Sequence, residues 1–363
     1  MILLILAFAA ILYVAEKYTL KHVLDKVSFE TTLNRSVVEP GEAFSWAMTV
    51  RNGKRMLVPY LRLRENVPEG LLFADGSEAV GGKWYTWLIS TLYLGRYQKV
   101  HMSREVKLEK RGRYFFQGAS VDAGDFLGIR SVTQSYPELC EVVVKPKRLE
   151  SLQLTELLGG YFGEHPVPKS LMDDPINIIG FRDYTGREPF RSISWTQSAK
   201  YGRLLVKQFE HTTEYSCTVL LNVDGDGIKN RNRDALLETS FSIVRSVCEH
   251  LEKKKISYDF RTNGVIAGTM GDWKQIGNGL GAGHLETVLE GLGRMTYVPR
   301  ERMEHFLERE IRGVQRGRSL VLVTPAEDDY LREAAARLEK MSGRAVLVLC
   351  AENFVIADLK DAG

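Results

Sequence analysis

The hydrophobic pattern changes its period partway along the chain, and that change constrains the fold more than any other feature. Before about residue 150 the signal has period two. Phe44, Trp46, Met48 and Val50 alternate with Ser45, Ala47 and Thr49, which places the large side chains on one face of a strand. Asn52-Gly53 follows directly, a strong two-residue hairpin signal because both turn positions need positive φ. Beyond it Leu61 and Leu63 alternate with Arg62 and Arg64, and Pro40-Gly41, Pro68-Glu69-Gly70, Gly81-Gly82 and Arg111-Gly112 punctuate further short strands. Residues 21–150 therefore read as an antiparallel β-sandwich.

From Tyr215 the pattern is different. Cys217 to Val223 is a nearly continuous apolar run, as a strand buried on both faces requires. Leu237, Phe241, Val244, Cys248 and Leu251 then recur at steps of four and three, one stripe on a helix. Lys253, Lys254 and Lys255 crowd its C-terminal end, where the helix dipole favours cations. Ile256 to Arg261 predicts a second strand and His284 to Met295 a second helix. Leu320 to Thr324 and Ala345 to Cys350 predict two more strands, with a helix over Asp328 to Lys340 between them. Such alternation predicts a doubly wound, mostly parallel sheet over residues 214–363. Residues 151–213 read as a connector, with Gly159-Gly160, Pro166 and Pro168 as its breakers.

A chain of 363 residues fits two or three such domains. The net charge of +3 is too mild for a nucleic-acid footprint, which needs Lys and Arg gathered on one face. Cys140, Cys217, Cys248 and Cys350 stand far apart, outside any CxxC or zinc spacing, and three of them sit in apolar runs. A reducing, cytosolic setting follows for the main body.

Met1 to Ala15 carries no charge and is almost wholly apolar. At 1.5 Å per residue it covers roughly 22 Å, short of a hydrocarbon core of about 30 Å. Extending it to Leu20 takes in Glu16 and Lys17, whose stems can snorkel. A membrane anchor over residues 1–20 is the leading reading, beside a cleaved signal peptide and a core or interfacial helix. Lys17, Lys21, His22 and Lys26 follow the run and nothing basic precedes it, which puts the body on the cytoplasmic side.

The chemistry is densest between Phe181 and Glu210. Six Lys or Arg residues (Arg182, Arg187, Arg191, Lys200, Arg203, Lys207) face three acids, interleaved with Phe181, Tyr184, Phe190, Trp195, Tyr201 and Phe209. A guanidinium can fork to a carboxylate and also stack on an aromatic ring. Either the arginines pair internally with Asp183, Glu188 and Glu210, or they present a docking surface to an acidic partner.

The same segment resembles the signature of the domain-of-unknown-function 58 family, roughly R-x-Y-x-x-G-D-x-x-R-x-I-x-W. Arg182, Tyr184, Arg191, Ile193 and Trp195 fall into that pattern, and Ala199 and Leu205 meet the alanine and the basic strand that follow it in the family. The glycine comes one place early, at Gly186; Glu188 meets the acidic position, and Ser194 replaces the acid before the tryptophan. Upstream, Arg111-Gly112-Arg113-Tyr114 and Asp125-Phe126-Leu127-Gly128 are similar to that family's turns. The resemblance implies a von Willebrand factor A-like C-terminal domain, a membrane-tethered sandwich, and a partner or adaptor role beside a MoxR-type AAA+ ATPase.

A von Willebrand A-type domain often holds a divalent cation at the end of its first strand through Asp-x-Ser-x-Ser, oxygen ligands suited to a hard ion. Asp224-Gly225-Asp226-Gly227-Ile228 occupies that place, so Asp224 and Asp226 are the candidate ligands for Mg²⁺, and Ile228 supplies none. Gly277 to Gly283 precedes a helix but lacks the lysine of a phosphate loop, and reads as a flexible connector. No GxSxG, HExxH or CxxC set occurs, and His165, His211 and His284 lack obvious partners in sequence.

These readings converge on a non-catalytic, membrane-anchored adaptor or assembly protein working with an AAA+ ATPase. Arg182, Arg187 and Arg191 would contact an acidic surface, while Tyr184 and Trp195 would pack the connector against the α/β domain. A metal-dependent adhesion module outside the cell is the alternative. A hydrolase whose site assembles only in space is the third.

Overall fold

A computed structural model describes residues 2–74, 76, 80–82, 85–124, 130–163, 178–186, 190–209, 216–225, 232–268 and 275–354. The chain divides into two units, Met1–Lys147 with Leu289–Arg294, and Arg148–Val288 with Met295–Gly363.

The first unit opens with helix α1 (Ile2–His22). Among the described residues no helix is long and apolar enough to cross a membrane, so the anchor expected over residues 1–20 finds no support in the fold. Among the described residues twelve strands follow: β1 (Val27–Leu33), β2 (Val37–Val38), β3 (Ala43–Asn52), β4 (Val58–Val67), β5 (Leu72–Phe73), β6 (Val80–Gly82), β7 (Tyr85–Leu94), β8 (Lys99–Lys107), β9 (Gly112–Phe116), β10 (Ala119–Gly124), β11 (Ser131–Tyr136) and β12 (Cys140–Val144). They form sheets ordered β1-β3-β8-β5, β11-β10-β4-β7-β6 and β2-β12-β9, antiparallel except for the β2–β12 pair. Phe44, Trp46, Met48 and Val50 of β3 all point into one core with Leu61 and Leu63 of β4, as the period-two pattern requires. Trp46 satisfies its buried indole N–H by donating to Thr31 Oγ1 at 2.8 Å.

Asn52-Gly53 does not close a hairpin. β3 pairs with β1 and β8, whereas β4 pairs with β7 and β10, so the dipeptide carries the chain from one sheet to the other. Neither residue has positive φ. Asn52 is instead a buried polar corner whose Nδ2 donates to the carbonyls of Met56 and Gly95, each at 2.8 Å. The local turn preference yielded to those tertiary bonds, because a buried amide left unpaired is costly.

The second unit opens with α2 (Leu152–Gly163), where the sequence reads as a connector. Leu154, Leu158 and Phe162 lie four residues apart and are buried, and that stripe overrides the two interior glycines, each worth about 1 kcal/mol against helix. Tyr161 donates to the carbonyl of Ala345 at 2.7 Å. Next come β13 (Ile178–Asp183), α3 (Trp195–Tyr201), β14 (Leu205–Phe209), β15 (Ser216–Leu221), α4 (Arg233–Lys254), β16 (Ser257–Thr262), β17 (Gly264–Ile266) and β18 (Gln275–Gly279). The chain continues with α5 (Ala282–Arg294), β19 (Met295–Pro299), α6 (Met303–Gly313), β20 (Ser319–Thr324), α7 (Asp329–Ser342) and β21 (Val346–Cys350).

The main sheet has the order β18-β16-β15-β20-β21, parallel except for the antiparallel edge strand β18. This is the mixed α/β architecture read from the sequence. β20 is buried at every residue, and the α4 stripe of Leu237, Phe241, Val244, Cys248 and Leu251 is fully buried. Gln275–Gly279, whose last three residues open the stretch read as a flexible connector, does pair with β16. Backbone hydrogen bonds need no β-favouring side chain when a partner strand is already in place. Strand order reverses at β15, which is followed by β16 on one side and flanked by β20 on the other. In open α/β sheets that switch point opens a crevice at the carboxyl ends of the strands.

Candidate functional site

Two places in the second unit carry the chemistry singled out above. The first is the basic-aromatic segment. β13 and β14 pair antiparallel, with Phe181 opposite Lys207 and Asp183 opposite Leu205. The backbone between them returns through Gly186, whose φ of +85° is a left-handed conformation that explains a glycine there. A single 3-10 turn (Phe190–Ser192) leads to α3, which stops at Gly202 in the left-handed region. Ile193 bridges to Val206, Ser194 N–H donates to the carbonyl of Leu205, and Leu205 N–H donates to Ser198 Oγ, both at 2.9 Å. Ile193, Leu205 and Val206 are buried, so the aliphatic members of the signature make its core.

The aromatic members do the opposite. Phe190 is 70% exposed, Trp195 63% and Tyr201 59%, and Phe181 and Leu204 are exposed as well. Trp195 therefore does not pack the segment against the α/β domain. It stands at the first position of α3, where the side chain is directed outward while Ile193 and Ser198 take the inward places. Tyr184 is half-buried and its ring meets Phe190 within the segment, at 6.1 Å between centroids. Arg203 pairs with Asp183 at 3.1 Å, both side chains more than 60% exposed, and such pairs contribute about 0–1 kcal/mol. Arg182 is exposed. Arg191 lies in the 3-10 turn, and its side chain falls outside the described residues, as do Arg187 and Glu188 altogether.

The second place is the switch-point crevice. Asn222, just past β15, is buried. Its Oδ1 accepts from Asp224 N–H at 2.9 Å and Asn263 Nδ2 at 2.8 Å, and its Nδ2 lies 3.2 Å from Thr324 Oγ1. Asn263 Oδ1 accepts from Val223 N–H at 2.8 Å. Asp224 Oδ2 accepts from the N–H of Met303, the first residue of α6, at 3.1 Å. A helix N-terminus has unpaired N–H groups and a positive dipole end, so the carboxylate is well placed there. Arg233 sits against Gly225 and donates to the carbonyl of Tyr297 at 3.1 Å.

Of the two candidate metal ligands, Asp224 is thus already engaged, and Asp226 lies outside the described residues. Among the described residues no group of three or more His, Cys, Asp or Glu is gathered closely enough to hold a metal ion. Sequence reasoning missed Asn222, Asn263 and Thr324. Their signal was present: each polar residue stands at or just past the end of a predicted apolar strand, where side chains enter the crevice.

Two other candidates have structural occupations. His284 places Nε2 2.9 Å from the carbonyl of Tyr258 and its ring against the Tyr258 ring. Glu252 accepts from Gly281 N–H at 2.9 and 3.0 Å, so the backbone donor that a phosphate loop would offer is taken by a carboxylate. His165, His211 and the turn at Asp125–Gly128 lie outside the described residues. Cys217, Cys248 and Cys350 are buried free thiols, with Cys217 and Cys248 driven well up from the usual range by desolvation.

No family model and no curated protein matches this chain. Among solved structures, a CARDB domain from Pyrococcus furiosus in complex with two metal ions is 13% identical, covering 32% of this chain and 91% of that one, with a TM-score of 0.22. A cohesin module from a Clostridium perfringens family 33 glycoside hydrolase is 11% identical, covering 32% of this chain and 96% of that one, with a TM-score of 0.23. The sporulation control protein Spo0M of Bacillus subtilis is 12% identical, covering 44% and 58%, with a TM-score of 0.20. Likenesses this faint carry no argument about function.

Proposed function

We propose that this chain is a non-catalytic interaction protein held at the cytoplasmic face of a membrane, with the basic-aromatic segment as its docking surface and an AAA+ ATPase of the MoxR type as its partner. The observation that carries the reading is the outward display of Phe190, Trp195 and Tyr201 on a segment rich in Lys and Arg. Exposed aromatic rings cost solubility, and Trp, Tyr and Arg are the residues that dominate binding hot spots. Arg182, Tyr184, Arg187, Arg191 and Trp195 form the contact set. The ATPase enters through the family resemblance of those same residues, and the von Willebrand A-like assignment of the α/β unit rests on it too.

The membrane part of the reading is supported by α1, which carries no charge from Ile2 to Ala15 and exposes Leu6, Ile11 and Val14, each above 60%. A helix apolar all round calls for an apolar environment. Here α1 dips into one leaflet.

Replacing Phe190 and Trp195 together with serine tests the docking surface. The double variant should fold with unchanged circular dichroism and lose the ATPase from affinity captures of native membranes. Undiminished capture by the folded variant, identified by mass spectrometry, would refute the assignment.

A further inference from the structure

We infer that the end of the sandwich at which α1 enters is a basic collar that binds anionic phospholipid headgroups. This rests on the reading that α1 seats in a membrane, and it adds which lipids that membrane must present.

The junction is built rather than loose. Val23 and Leu24, directly after α1, are buried in the sandwich core. Lys54 Nζ donates to the carbonyls of Val23 at 2.6 Å and Asp25 at 2.7 Å, covering carbonyls that follow the helix end. Gly53 N–H donates to the carbonyl of Lys26 at 2.8 Å. The same loop meets the β7–β8 turn, where Tyr97 N–H donates to the carbonyl of Lys54 at 3.1 Å and Asn52 N–H to that of Gln98 at 2.9 Å. Three chain segments therefore converge on the foot of α1: residues 21–27, 51–56 and 95–99.

What these segments display is positive. Lys21, Lys26, Arg51, Arg55, Arg96 and Lys99 are all exposed, and among the described residues none of them forms a salt bridge. Arg51 and Lys99 stand directly opposite each other on neighbouring strands with both side chains outward. Like charges in that position repel, and an anion between them removes the repulsion. Asp25 and Glu30 are too few to neutralise six cations, and Asp25 divides its attraction among His22, Lys54 and Lys21. Asp25 is held by His22 Nδ1 at 2.6 Å, and Glu30 lies one outward step farther along β1, level with Thr49 and His101. Tyr97, 68% exposed with φ of +51° at the tip of the turn, adds an amphipathic ring of the kind that settles at headgroup depth. Collar and α1 belong to one unit, so an inserted helix brings the collar to the bilayer surface. A lipid headgroup layer, not an acidic protein, is the occupant that fits cations gathered at the foot of an exposed apolar helix.

Flotation of the full chain with vesicles tests this. One set is phosphatidylcholine alone and the other contains about 30% phosphatidylglycerol, each with wild type and with Arg51→Glu/Lys99→Glu. The inference expects wild type to bind the anionic vesicles at least about tenfold more tightly than the neutral ones at low salt. That preference should collapse in about 0.5 M NaCl, where screening lengths shrink to a few ångströms. The double variant should bind both sets alike. Equal wild-type binding to both sets would overturn the collar while leaving α1's membrane role standing. Binding to neither would overturn both. Capture of a polyglutamate peptide without vesicle binding would reassign the collar to an acidic protein and refute the lipid.

Discussion

Asp224 accepts a hydrogen bond from the backbone N–H of Met303 at 3.1 Å, so a carboxylate at the end of the central strand caps the first turn of a helix 79 residues later. Arg302, the residue preceding that helix, makes no side-chain cap of its own. Asp224→Ala should therefore destabilise the protein by about 1 kcal/mol, and Asp224→Asn by much less, because asparagine caps nearly as well. Urea denaturation of the three proteins checks the order. Equal losses for Ala and Asn would show that the charge, not the cap, is what matters.

Asn222 ties four elements together through one buried amide. Removing it in Asn222→Ala leaves Asn263 and the N–H of Asp224 each short of a partner. The cost should be about 2–3 kcal/mol, since each buried group left unsatisfied loses its full solvation. A midpoint shift in urea at constant m-value is the readout.

Glu65 lies on the core face of β4, its two carboxylate oxygens buried with no hydrogen-bond partner. Burial pushes its carboxyl up to about 8, and the attraction of Arg104 only partly offsets that. The folded state thus holds a proton that the unfolded chain releases in the ordinary carboxylate range. The associated stability is fully present below about pH 4.5 and is lost as pH rises to about 8, at about 1.4 kcal/mol for each pH unit crossed. Glu65→Gln should gain on wild type steadily across that window. Thermal unfolding at pH 5 and pH 8 measures it, and parallel melting curves would contradict the buried neutral acid.

Ile193 and Trp195 are neighbours in the signature with opposite surroundings, one 3% and the other 63% exposed. Ile193→Ala should cost about 2–5 kcal/mol by opening a cavity, while Trp195→Ala should stay within about 0.5 kcal/mol. A Trp195→Ala variant that unfolds readily would mean the ring supports the fold rather than a partner.

Much of the fold was legible because period-two and 3.6-period patterns report which side chains must leave water. That sufficed for the sandwich strands Ala43–Asn52 and Val58–Val67, for the buried strands Ser216–Leu221 and Ser319–Thr324, and for the α4 stripe. It did not suffice where packing overrode a local preference. The Asn52-Gly53 turn became a buried corner, and Gly159-Gly160 stayed inside a helix because Leu154, Leu158 and Phe162 needed covering. The signature segment could be picked out by its residues alone. Which of them face solvent could not, since burial depends on the β13–β14 pairing and on α3 turning Trp195 outward. The collar was divided among three stretches of sequence, of which only Lys21 and Lys26 follow the apolar run. Arg51, Arg55, Arg96 and Lys99 join them through strand pairing and the hydrogen bonds of Asn52, Gly53 and Tyr97. Local sequence thus determined the elements and their buried faces through the hydrophobic effect. Only tertiary structure decided which charges share a surface, because that depends on contacts between residues far apart in the chain.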